Sequence, residues 1–329
     1  MSGTSETAKY LVTGGAGYVG GTVAAHLLAA GHRVTVLDDL STGFREGVPA
    51  GAEFVEGRIQ EAGKVLDSSY TGVLHFAACS QVGESVADPE KYWRNNVGGT
   101  MELLRSMREA GVRTLVFSST AAVYGEPDVT PITEDAPTAP GNPYGATKLA
   151  VDHMLTGECA AHGLAAVSLR YFNVAGAHPG GILGERHDPE SHLIPIILQV
   201  ALGRRESIAV YGTDYPTPDG TCVRDYIHVD DLAEAHLLAL TAATAGEHLI
   251  CNLGNGNGFS VREVIDTARR VTGHAIPAVP AARRPGDPAV LVASADHARH
   301  RLGWRPSRPD LAGIIGDAWE FARRADTRP

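Results

Sequence analysis

The feature that most constrains the fold of this chain is a glycine-rich segment near its N-terminus, Tyr10-Leu-Val-Thr-Gly-Gly-Ala-Gly-Tyr-Val-Gly20. A short apolar run enters the segment and a helical pattern leaves it. Glycines at Gly14, Gly17 and Gly20 permit a tight turn, close approach of backbone amides to a pyrophosphate, and close helix–strand packing. The N-terminus of the following helix favours an anion. The segment therefore predicts a phosphate-binding turn between the first strand and the first helix.

An acidic residue follows at the distance that such a turn requires. The second apolar run, Arg33–Leu37, ends at Asp38, eighteen residues beyond Gly20. A carboxylate there accepts hydrogen bonds from the adenosine ribose and repels a 2′-phosphate, which favours NAD over NADP. The alternative is a glycine-rich turn without a ligand. The order of strand, turn, helix, strand and acid argues against that alternative.

Strand-like and helical patterns alternate through the first half of the chain and continue more sparsely in the second. The predicted strands are Tyr10–Thr13, Arg33–Leu37, Val73–Ala77, Thr114–Ser118, Ala166–Leu169 and, late in the chain, Glu247–Leu253. The predicted helices are Gly20–Ala30, Tyr92–Ala110, Tyr144–His162, Leu193–Leu202, Val229–Thr241 and Val261–Val271. Gly31 and Gly111 follow two of them, where a left-handed C-terminal cap is expected. The alternation predicts an α/β fold, a Rossmann-type doubly wound parallel sheet, with a smaller mixed α/β C-terminal domain.

The length of 329 residues suits two domains and supports a core without disulfide or metal. We expect a dinucleotide-binding domain over residues 1–178, with later strands contributed from about 225–255. A mainly substrate-binding domain is expected over residues 179–329. Residues 174–192 are rich in glycine, proline, histidine and acids without a period, which is typical of a functional loop.

Composition excludes several classes of function. A net charge of −10 argues against a nucleic-acid or membrane-surface partner, and no apolar run has the length of a membrane span. The scattered cysteines form no CxxC pair and no Cys/His cluster at zinc spacing, so we expect reduced thiols, no metal and a cytoplasmic location. Met1–Lys9 lacks the apolar core of a signal peptide and is expected to be a short frayed tail. The cysteines are Cys79, Cys159, Cys222 and Cys251.

A catalytic set is indicated by Tyr144-Gly-Ala-Thr-Lys148, whose i, i+4 spacing puts a phenol and an ammonium on one helix face. A nearby cation favours the phenolate, so we expect a lowered pKa for Tyr144 and a role as general base. The strand Thr114–Ser118 carries a Ser-Ser-Thr run, ending at Thr120, to the carboxyl edge of the sheet, where open α/β sheets bind ligands. The Thr120 hydroxyl can hydrogen-bond the substrate oxygen that Tyr144 deprotonates. Together these groups predict hydride chemistry at an alcohol carbon.

With these residues the chain resembles the extended short-chain dehydrogenase/reductases and, among them, the UDP-glucose 4-epimerases (UDP-galactose 4-epimerases). The resemblance runs from Tyr10 to about Trp304. Its most specific parts are Tyr171-Phe-Asn-Val-Ala-Gly-Ala-His178 and Tyr211-Gly-Thr-Asp-Tyr-Pro-Thr-Pro-Asp-Gly-Thr-Cys-Val-Arg-Asp-Tyr-Ile-His-Val229. The resemblance implies an isomerase that interconverts UDP-galactose and UDP-glucose. A tyrosinate would remove the sugar 4-OH proton, hydride would pass to bound NAD, and the 4-keto sugar would rotate before hydride returns.

The resemblance also implies site residues. Thr120, Tyr144 and Lys148 would be catalytic, and Lys148 would hold the nicotinamide ribose. The NAD contacts would come from Gly14, Gly17, Tyr18, Val19, Gly20, Asp38, Asp39, Arg58, Ile59, Phe76, Ala77, Ala78, Asn96, Ser118, Tyr144, Lys148 and Tyr171. The substrate contacts would come from Thr120, Tyr144, Phe172, Asn173, His192, Leu193, Ala209, Tyr211, Arg224, Arg284, Asp287 and Leu291.

The resemblance also implies individual roles for the substrate-contacting residues. Asn173 and Arg224 would contact the UDP diphosphate, and Tyr211 would cover the uracil. Guanidinium groups suit phosphate oxygens and a carboxylate suits a ribose diol, which fits Arg284 and Asp287 respectively. Three positions depart from the family pattern. Arg58 replaces an aspartate near adenine, Cys79 lies where a lysine is common, and His192 replaces an asparagine.

The alternative predictions concern the substrate and the class of protein. Leu291 is smaller than a tyrosine, so UDP-N-acetylglucosamine and UDP-N-acetylgalactosamine, or dual specificity, stay open. Ala121-Ala122 after Thr120 lacks the acid pair that a 4,6-dehydratase needs, and a simple reductase would not require the arginine anchors. A catalytically silent NAD-sensing regulator is the alternative from another class. The resemblance further implies a homodimer formed through the Tyr92–Ala110 and Tyr144–His162 helices.

Overall fold

The computed structural model describes residues 7–284 and 286–326 of the chain, and these residues form two compact units. The first unit comprises the described residues of Met1–Val123, Asn142–Arg170 and Ala233–Cys251. The second comprises those of Tyr124–Gly141, Tyr171–Leu232 and Asn252–Pro329. Of the frayed tail predicted over Met1–Lys9, residues 1–6 lie outside the described residues, whereas Lys9 already belongs to a strand.

The strands and helices alternate along the chain. The strands are β1 (Lys9–Thr13), β2 (Arg33–Asp38), β3 (Glu53–Glu56), β4 (Gly72–His75), β5 (Thr114–Thr120), β6 (Ala165–Tyr171), β7 (Asn173–Ala175), β8 (Ile208–Tyr211), β9 (Val223–His228), β10 (His248–Leu253), β11 (Gly258–Ser260), β12 (Ala278–Ala281) and β13 (Val290–Leu291). The helices are α1 (Tyr18–Ala29), α2 (Val82–Ala87), α3 (Pro89–Tyr92), α4 (Gly99–Ala110), α5 (Pro143–His162), α6 (Leu193–Ala201), α7 (Val229–Ala242), α8 (Val261–Thr272), α9 (Asp296–Leu302) and α10 (Leu311–Asp326).

A 7-stranded sheet in the order β10-β6-β5-β4-β1-β2-β3 is the centre of the first unit. The pairings from β3 across to β5 are parallel. Every residue of β4 is buried, whereas both end residues of the edge strand β3 are exposed. This is the pattern expected when helices cover both faces of a parallel sheet. The predicted Rossmann-type doubly wound fold is confirmed, and it brings the carboxyl ends of β1, β4 and β5 to one edge.

The core of the first unit is a single apolar cluster between the sheet and its helices. Leu11, Val73 and Phe117 contribute from the strands, and Leu103 and Leu155 contribute from α4 and α5. Burying an aliphatic or aromatic side chain of this size is worth about 1.5–3 kcal/mol. The same two helices carry residues of the candidate site, so the packing that holds them also fixes the position of that site.

The second unit contains smaller sheets. One has the order β11-β9-β13 with β7 paired to β9, and the other consists of β12 and β8. Its apolar cluster lies among α6, α8 and α10, with Ile197, Ile265 and Ile315 fully buried. Trp304 is also fully buried, and its indole Nε1 donates a 2.8 Å hydrogen bond to the carbonyl oxygen of Asp231.

The structure confirms the predicted strands, and all but one of the predicted helices, to within two residues at each end. The exception is Tyr92–Ala110, which is not one helix. It consists of the end of α3, a π-helical turn at Trp93–Gly98, and α4. A π-turn carries one extra residue and is frequent at functional sites. The left-handed caps are confirmed, with φ values of 87° at Gly31 and 75° at Gly111.

Among residues 7–284 and 286–326, no helix combines the length and the apolar character that crossing a bilayer requires.

Candidate active site

The glycine-rich turn lies between β1 and α1, as predicted. Gly14 has a φ of 73°, and a Cβ there would lie 2.6 Å from the backbone nitrogen of Ala77. A Cβ on Gly20 would lie 2.3 Å from the carbonyl oxygen of Gly14. Gly17 is the N-cap of α1 and makes no side-chain cap hydrogen bond. Gly14 and Gly20 thus permit close packing of the turn against the segment after β4 and against the start of α1, and that helix start suits a phosphate.

Asp38 at the end of β2 lies beside this turn. Its carboxylate accepts hydrogen bonds from the backbone nitrogens of Ala16, at 3.0 Å, and Leu40, at 2.9 Å. Burial raises the pKa of Asp38, against the effect of these two bonds. Each oxygen keeps a further lone pair for a ribose hydroxyl. Asp39, by contrast, is exposed and accepts from the backbone of Ser41.

The turn after β4 packs against the glycine-rich segment. The backbone nitrogens of Phe76 and Ala77 both donate to the carbonyl of Thr13, at 2.9 and 3.1 Å. Asn96, in the π-helical turn, binds the backbone of Cys79 through both ends of its amide: Nδ2 donates to the carbonyl at 3.0 Å and Oδ1 accepts from the nitrogen at 2.8 Å. Cys79, which replaces a common lysine, is therefore held by its backbone.

The remaining predicted NAD contacts lie on several elements and differ in burial. Tyr18 and Val19 open α1, and Ala78 follows Ala77 in the turn after β4. Ile59 is buried in the apolar core, whereas Arg58 is exposed, and its backbone nitrogen donates to the Glu61 carboxylate at 3.1 Å. Tyr171 ends β6 and is half-buried.

Thr120 and Tyr144 are brought together at the carboxyl end of β5 and the first turn of α5. Asn142 caps this helix, its Oδ1 accepting from the nitrogen of Gly145 at 2.9 Å, and Pro143 occupies the first helical position. Burial raises the pKa of Tyr144, and the hydrogen bond with Thr120 lowers it by less. The expectation of a lowered pKa is therefore wrong for the unliganded chain.

The reason lies in the position of Lys148. Its Nζ donates to the carbonyl of Ser118 at 2.7 Å and lies 6.0 Å from the centre of the Tyr144 ring. The side chain is 2% exposed. Burial lowers the pKa of Lys148 to about 8, against the opposing effect of Asp152. The ammonium is therefore directed at the backbone of β5 and at the Phe117 ring, 4.8 Å away, rather than at the phenol oxygen.

Asp152 is a buried charge that the sequence reasoning missed. It lies four residues after Lys148, on the same face of α5. Its Oδ2 accepts from Arg170 at 2.8 and 3.1 Å. Removing one partner of such a buried pair is more costly than replacing both, because a charge is left uncompensated. The i, i+4 spacing from Lys148 is the signal by which Asp152 could have been found.

In the second unit, Arg224 and Asp287 form an ion pair with each other. Arg224 also donates to the carbonyl of Val223 at 2.7 Å. Leu291 lies directly beside Arg224, because β13 pairs with β9 in that register. The predicted phosphate and ribose ligands are thus adjacent and pair with each other.

Tyr211 and Arg284 form a second pair. The guanidinium carbon of Arg284 lies 4.1 Å from the centre of the Tyr211 ring, which is within cation–π distance. Tyr211 ends β8 and is 39% exposed, so its other face is open to stacking by a base.

The remaining predicted substrate residues lie on several elements of the second unit. Asn173, in β7, donates from Nδ2 to the carbonyl of Asp225 at 3.0 Å, and Phe172 precedes it. Ala209 is in β8 and Leu193 is the first residue of α6. His192, the N-cap of α6, directs its Nδ1 to two glutamates in the preceding loop. Together with His187, these side chains form a His/Glu cluster, and the expectation of no metal stays a prediction.

The geometry can be compared with known proteins. A model of the NAD dependent epimerase/dehydratase family matches residues 10–254, which include the glycine-rich turn, Thr120, Tyr144 and Lys148. The chain belongs to this family. The UDP-glucose 4-epimerase of Streptomyces lividans is 70% identical over 318 residues, covering 95% of each chain.

Solved structures of family members are also similar. The UDP-glucose 4-epimerase from Brucella ovis in complex with NAD is 46% identical, with a TM-score of 0.92 over 96% of this chain and 99% of that one. The enzyme from Bifidobacterium longum in complex with NAD+ and UDP is 36% identical, with a TM-score of 0.89 over 97% and 99%. The family likeness therefore extends over both units.

Proposed function

We propose that the chain is a UDP-glucose 4-epimerase, an NAD-dependent isomerase that interconverts UDP-galactose and UDP-glucose. The observation that carries the proposal is the cluster at the end of β5, where Thr120, Tyr144 and the buried Lys148 lie together. The family and the likeness to UDP-glucose 4-epimerases support the choice of reaction.

Tyr144 is the proposed base for the 4-OH of the sugar. The hydroxyl of Thr120 bonds to the same phenol and accepts at Oγ1 from the backbone nitrogen of Ala122 at 3.2 Å, which fixes its orientation. Because burial raises the pKa of Tyr144, the phenol would first have to lose its own proton. A substrate hydroxyl between the two oxygens would then give its proton to the phenolate while Thr120 keeps it in position. Reversal of this proton transfer would return the proton from Tyr144 to the sugar oxygen at the end of the reaction.

Lys148 is proposed to hold the nicotinamide ribose. An ammonium has three donors, and the carbonyl of Ser118 takes one of them. The other two can bind ribose hydroxyls. Because Lys148 is buried, these bonds are formed away from competing water.

The glycine-rich turn fits a dinucleotide. Gly17 begins α1 without a side-chain cap, so the start of this helix suits a pyrophosphate, and the Asp38 carboxylate suits a ribose diol. The bound NAD supplies the acceptor and donor of hydride at C4, which no side chain of this chain can provide. The residues of the turn bind the pyrophosphate and orient the coenzyme.

The second unit is proposed to bind the UDP moiety. Arg224 and Arg284 would bind the diphosphate, Asp287 the uridine ribose, and Tyr211 the uracil. Asn173 and His192 would add donors. The pairs Arg224–Asp287 and Arg284–Tyr211 keep these side chains adjacent.

The decisive experiment is an epimerisation assay on purified protein. Equilibration of UDP-galactose with UDP-glucose, without net reduction of added NAD, is the expected result. The UDP-N-acetylhexosamine pair should be assayed alongside, because the half-buried Leu291 favours a second candidate, an enzyme that also accepts N-acetylated sugars. Protein that binds NAD and UDP but equilibrates neither pair would be the NAD-sensing regulator instead.

We also propose that the chain forms a homodimer through the Tyr92–Ala110 and Tyr144–His162 segments. Four large apolar side chains lie exposed on or near the first of these segments in the first unit: Val82 at 46%, Val86 at 64%, Trp93 at 43% and Met101 at 56%. Clustered exposed apolar residues mark interaction surfaces. A cytoplasmic location stays a prediction.

Sedimentation equilibrium tests the dimer. Met101→Lys on α4 should shift a dimer to monomers at micromolar concentration. Val129→Lys is the matched control, because Val129 is 73% exposed but belongs to the second unit. A monomeric wild-type protein, or an equal effect of both substitutions, would refute the proposed interface.

A further inference from the structure

The loop that leads into α6 brings two histidines and two glutamates of the second unit together. The spacing is Glu185-x-His187-x-x-Glu190-x-His192. One ligand atom from each side chain lies within 4.8 Å of all the others. These are imidazole nitrogens and carboxylate oxygens, which are ligands of divalent transition metals.

Four contacts between imidazole nitrogens and carboxylate oxygens measure 2.8–3.6 Å, and the two contacts of Glu190 use different oxygens. Nδ1 of His192 lies 2.8 Å from Oε1 of Glu185 and 3.1 Å from Oε1 of Glu190. Nδ1 of His187 lies 3.4 Å from Oε1 of Glu185 and 3.6 Å from Oε2 of Glu190. Ligands about 2.0–2.1 Å from a tetrahedral zinc ion are separated from each other by about 3.3 Å.

Hydrogen bonding among the described residues accounts for His192 and Glu190, whose Nδ1 and Oε1 lie 3.1 Å apart, but it does not account for His187. Nδ1 of His187 is buried and has no hydrogen-bond partner there, although two carboxylates face it. A proton on Nδ1 would normally draw an acceptor to within about 3.2 Å. The side chains of Glu185 and Glu190 are only 9% and 4% exposed, so their charges need compensation.

We propose that Glu185, His187, Glu190 and His192 form a binding site for one divalent cation of the zinc class. Two carboxylates, two neutral imidazoles and a dication sum to zero charge, which makes the half-buried cluster neutral. All four positions are taken by the protein, so the site is structural rather than catalytic. The ion would hold the loop in the conformation that starts α6.

The competing arrangement is metal-free. In it both imidazoles carry a proton and each pairs with a carboxylate. The ring centres are only 5.1 Å apart, so two imidazolium charges repel each other. A metal ion removes that repulsion, since both rings are neutral when they coordinate.

The ion would also set the tautomer of His192. Coordination through Nδ1 leaves the ring proton on Nε2. This consequence depends on the proposed function, because Nε2–H would then be the donor available to the UDP diphosphate. Binding of the ion itself does not depend on that function.

The first test is metal binding by the full chain without any substrate. Protein stripped with a chelator should take up one Zn2+ per chain and gain about 5 °C in Tm. Co2+ offered alone should give the intense visible absorption of a tetrahedral site. Absence of uptake, or a spectrum of octahedral Co2+, would refute the site.

Substitutions in the cluster test which side chains bind the ion. His187→Asn and Glu190→Gln should each weaken Zn2+ binding by at least about 100-fold, because even supporting residues around metals are worth 10–100-fold. His300→Asn is the control, since His300 is exposed on α9 of the same unit. Uptake that is unchanged in both cluster variants would place the ion elsewhere and overturn the proposal. If one variant fails to fold, the other and the Co2+ spectrum still decide.

Discussion

The two units prepare their binding groups in different ways. In the first unit, Lys148 is 2% exposed and is held by the backbone carbonyl of Ser118, and Tyr144 is fixed in the first turn of a capped helix. In the second unit, Arg224 is held by the carbonyl of Val223 and also by the side chain of Asp287, which is itself a proposed nucleotide ligand. The groups proposed for chemistry are therefore fixed to regular elements. The groups proposed for nucleotide binding are fixed to partners that can be exchanged.

This difference has a kinetic consequence. Groups held in place before substrate arrives contribute in the transition state, so their loss should lower kcat. Groups that exchange one partner for another on binding contribute to affinity, so their loss should raise KM. Substitutions in the two units therefore test this difference.

The largest effect is expected for Tyr144→Phe. Without the phenol oxygen the 4-OH has no base, and kcat should fall by about 10³-fold or more. UDP affinity, measured by calorimetry, should stay within about twofold. Tyr10→Phe is the matched control, since Tyr10 is a buried tyrosine at the start of the sheet and should leave kcat unchanged. Full turnover by Tyr144→Phe would remove the base assignment.

The next effect concerns stability and pH. Burial lowers the pKa of Lys148 to about 8 from 10.5, so between these values the unfolded chain binds more protons than the folded one. Stability carried by this group therefore rises with pH over that window, by about 3 kcal/mol in total. In urea unfolding between pH 7 and 10.5, the free energy of unfolding of the wild type should increase relative to that of Lys148→Met.

Comparing the wild type with Lys148→Met separates the titration of Lys148 from that of the other ionisable groups. Lys64→Met is the control, because Lys64 is 76% exposed. Its difference from the wild type should not vary with pH. A constant difference for Lys148→Met as well would mean that its ammonium is solvated or compensated in the folded chain.

A smaller effect is expected in the second unit. Arg224→Met should raise KM for UDP-glucose by about 10–100-fold, the value of one or two charged hydrogen bonds, with kcat within about threefold. Arg262→Met, on the exposed face of α8, is the control and should change neither constant. A fall in kcat with KM unchanged would mean that Arg224 acts in the transition state, and the distinction between the units would fail.

The two units also differ in how far their structure follows from sequence. Strands β1, β2, β4, β5 and β6 are predictable because each is a short apolar run buried on both faces and bounded by glycines or helices. β7, β11 and β13 have three residues or fewer, too few to show a period. They exist through pairing with β9, which is a tertiary effect.

Residues of the candidate site also differ in how far the sequence predicts them. Gly14, Asp38 and Lys148 have local patterns with a mechanism, so the sequence could predict them. The fully buried Asp225 lacks such a pattern, and its carboxylate accepts from the nitrogens of Asn255, Gly256 and Ala293. Burial raises the pKa of Asp225 to about 6, against these bonds. Such a residue is found only when distant loops are seen to converge.

The smallest effect is expected at Leu291, which bears on the breadth of substrates in the second unit. Leu291 is half-buried beside Arg224 in the β9–β13 pairing. Leu291→Tyr adds a ring where a 2-N-acetyl group is proposed to lie, so kcat/KM for UDP-N-acetylglucosamine should fall about 10-fold relative to UDP-glucose, the modest discrimination that steric contact gives. Val290→Leu, one residue earlier and also half-buried, is the control for added bulk in β13. An equal loss for both sugars would show that the ring disturbs Arg224 rather than the acetyl pocket, and substrate breadth would then depend on other residues of the second unit.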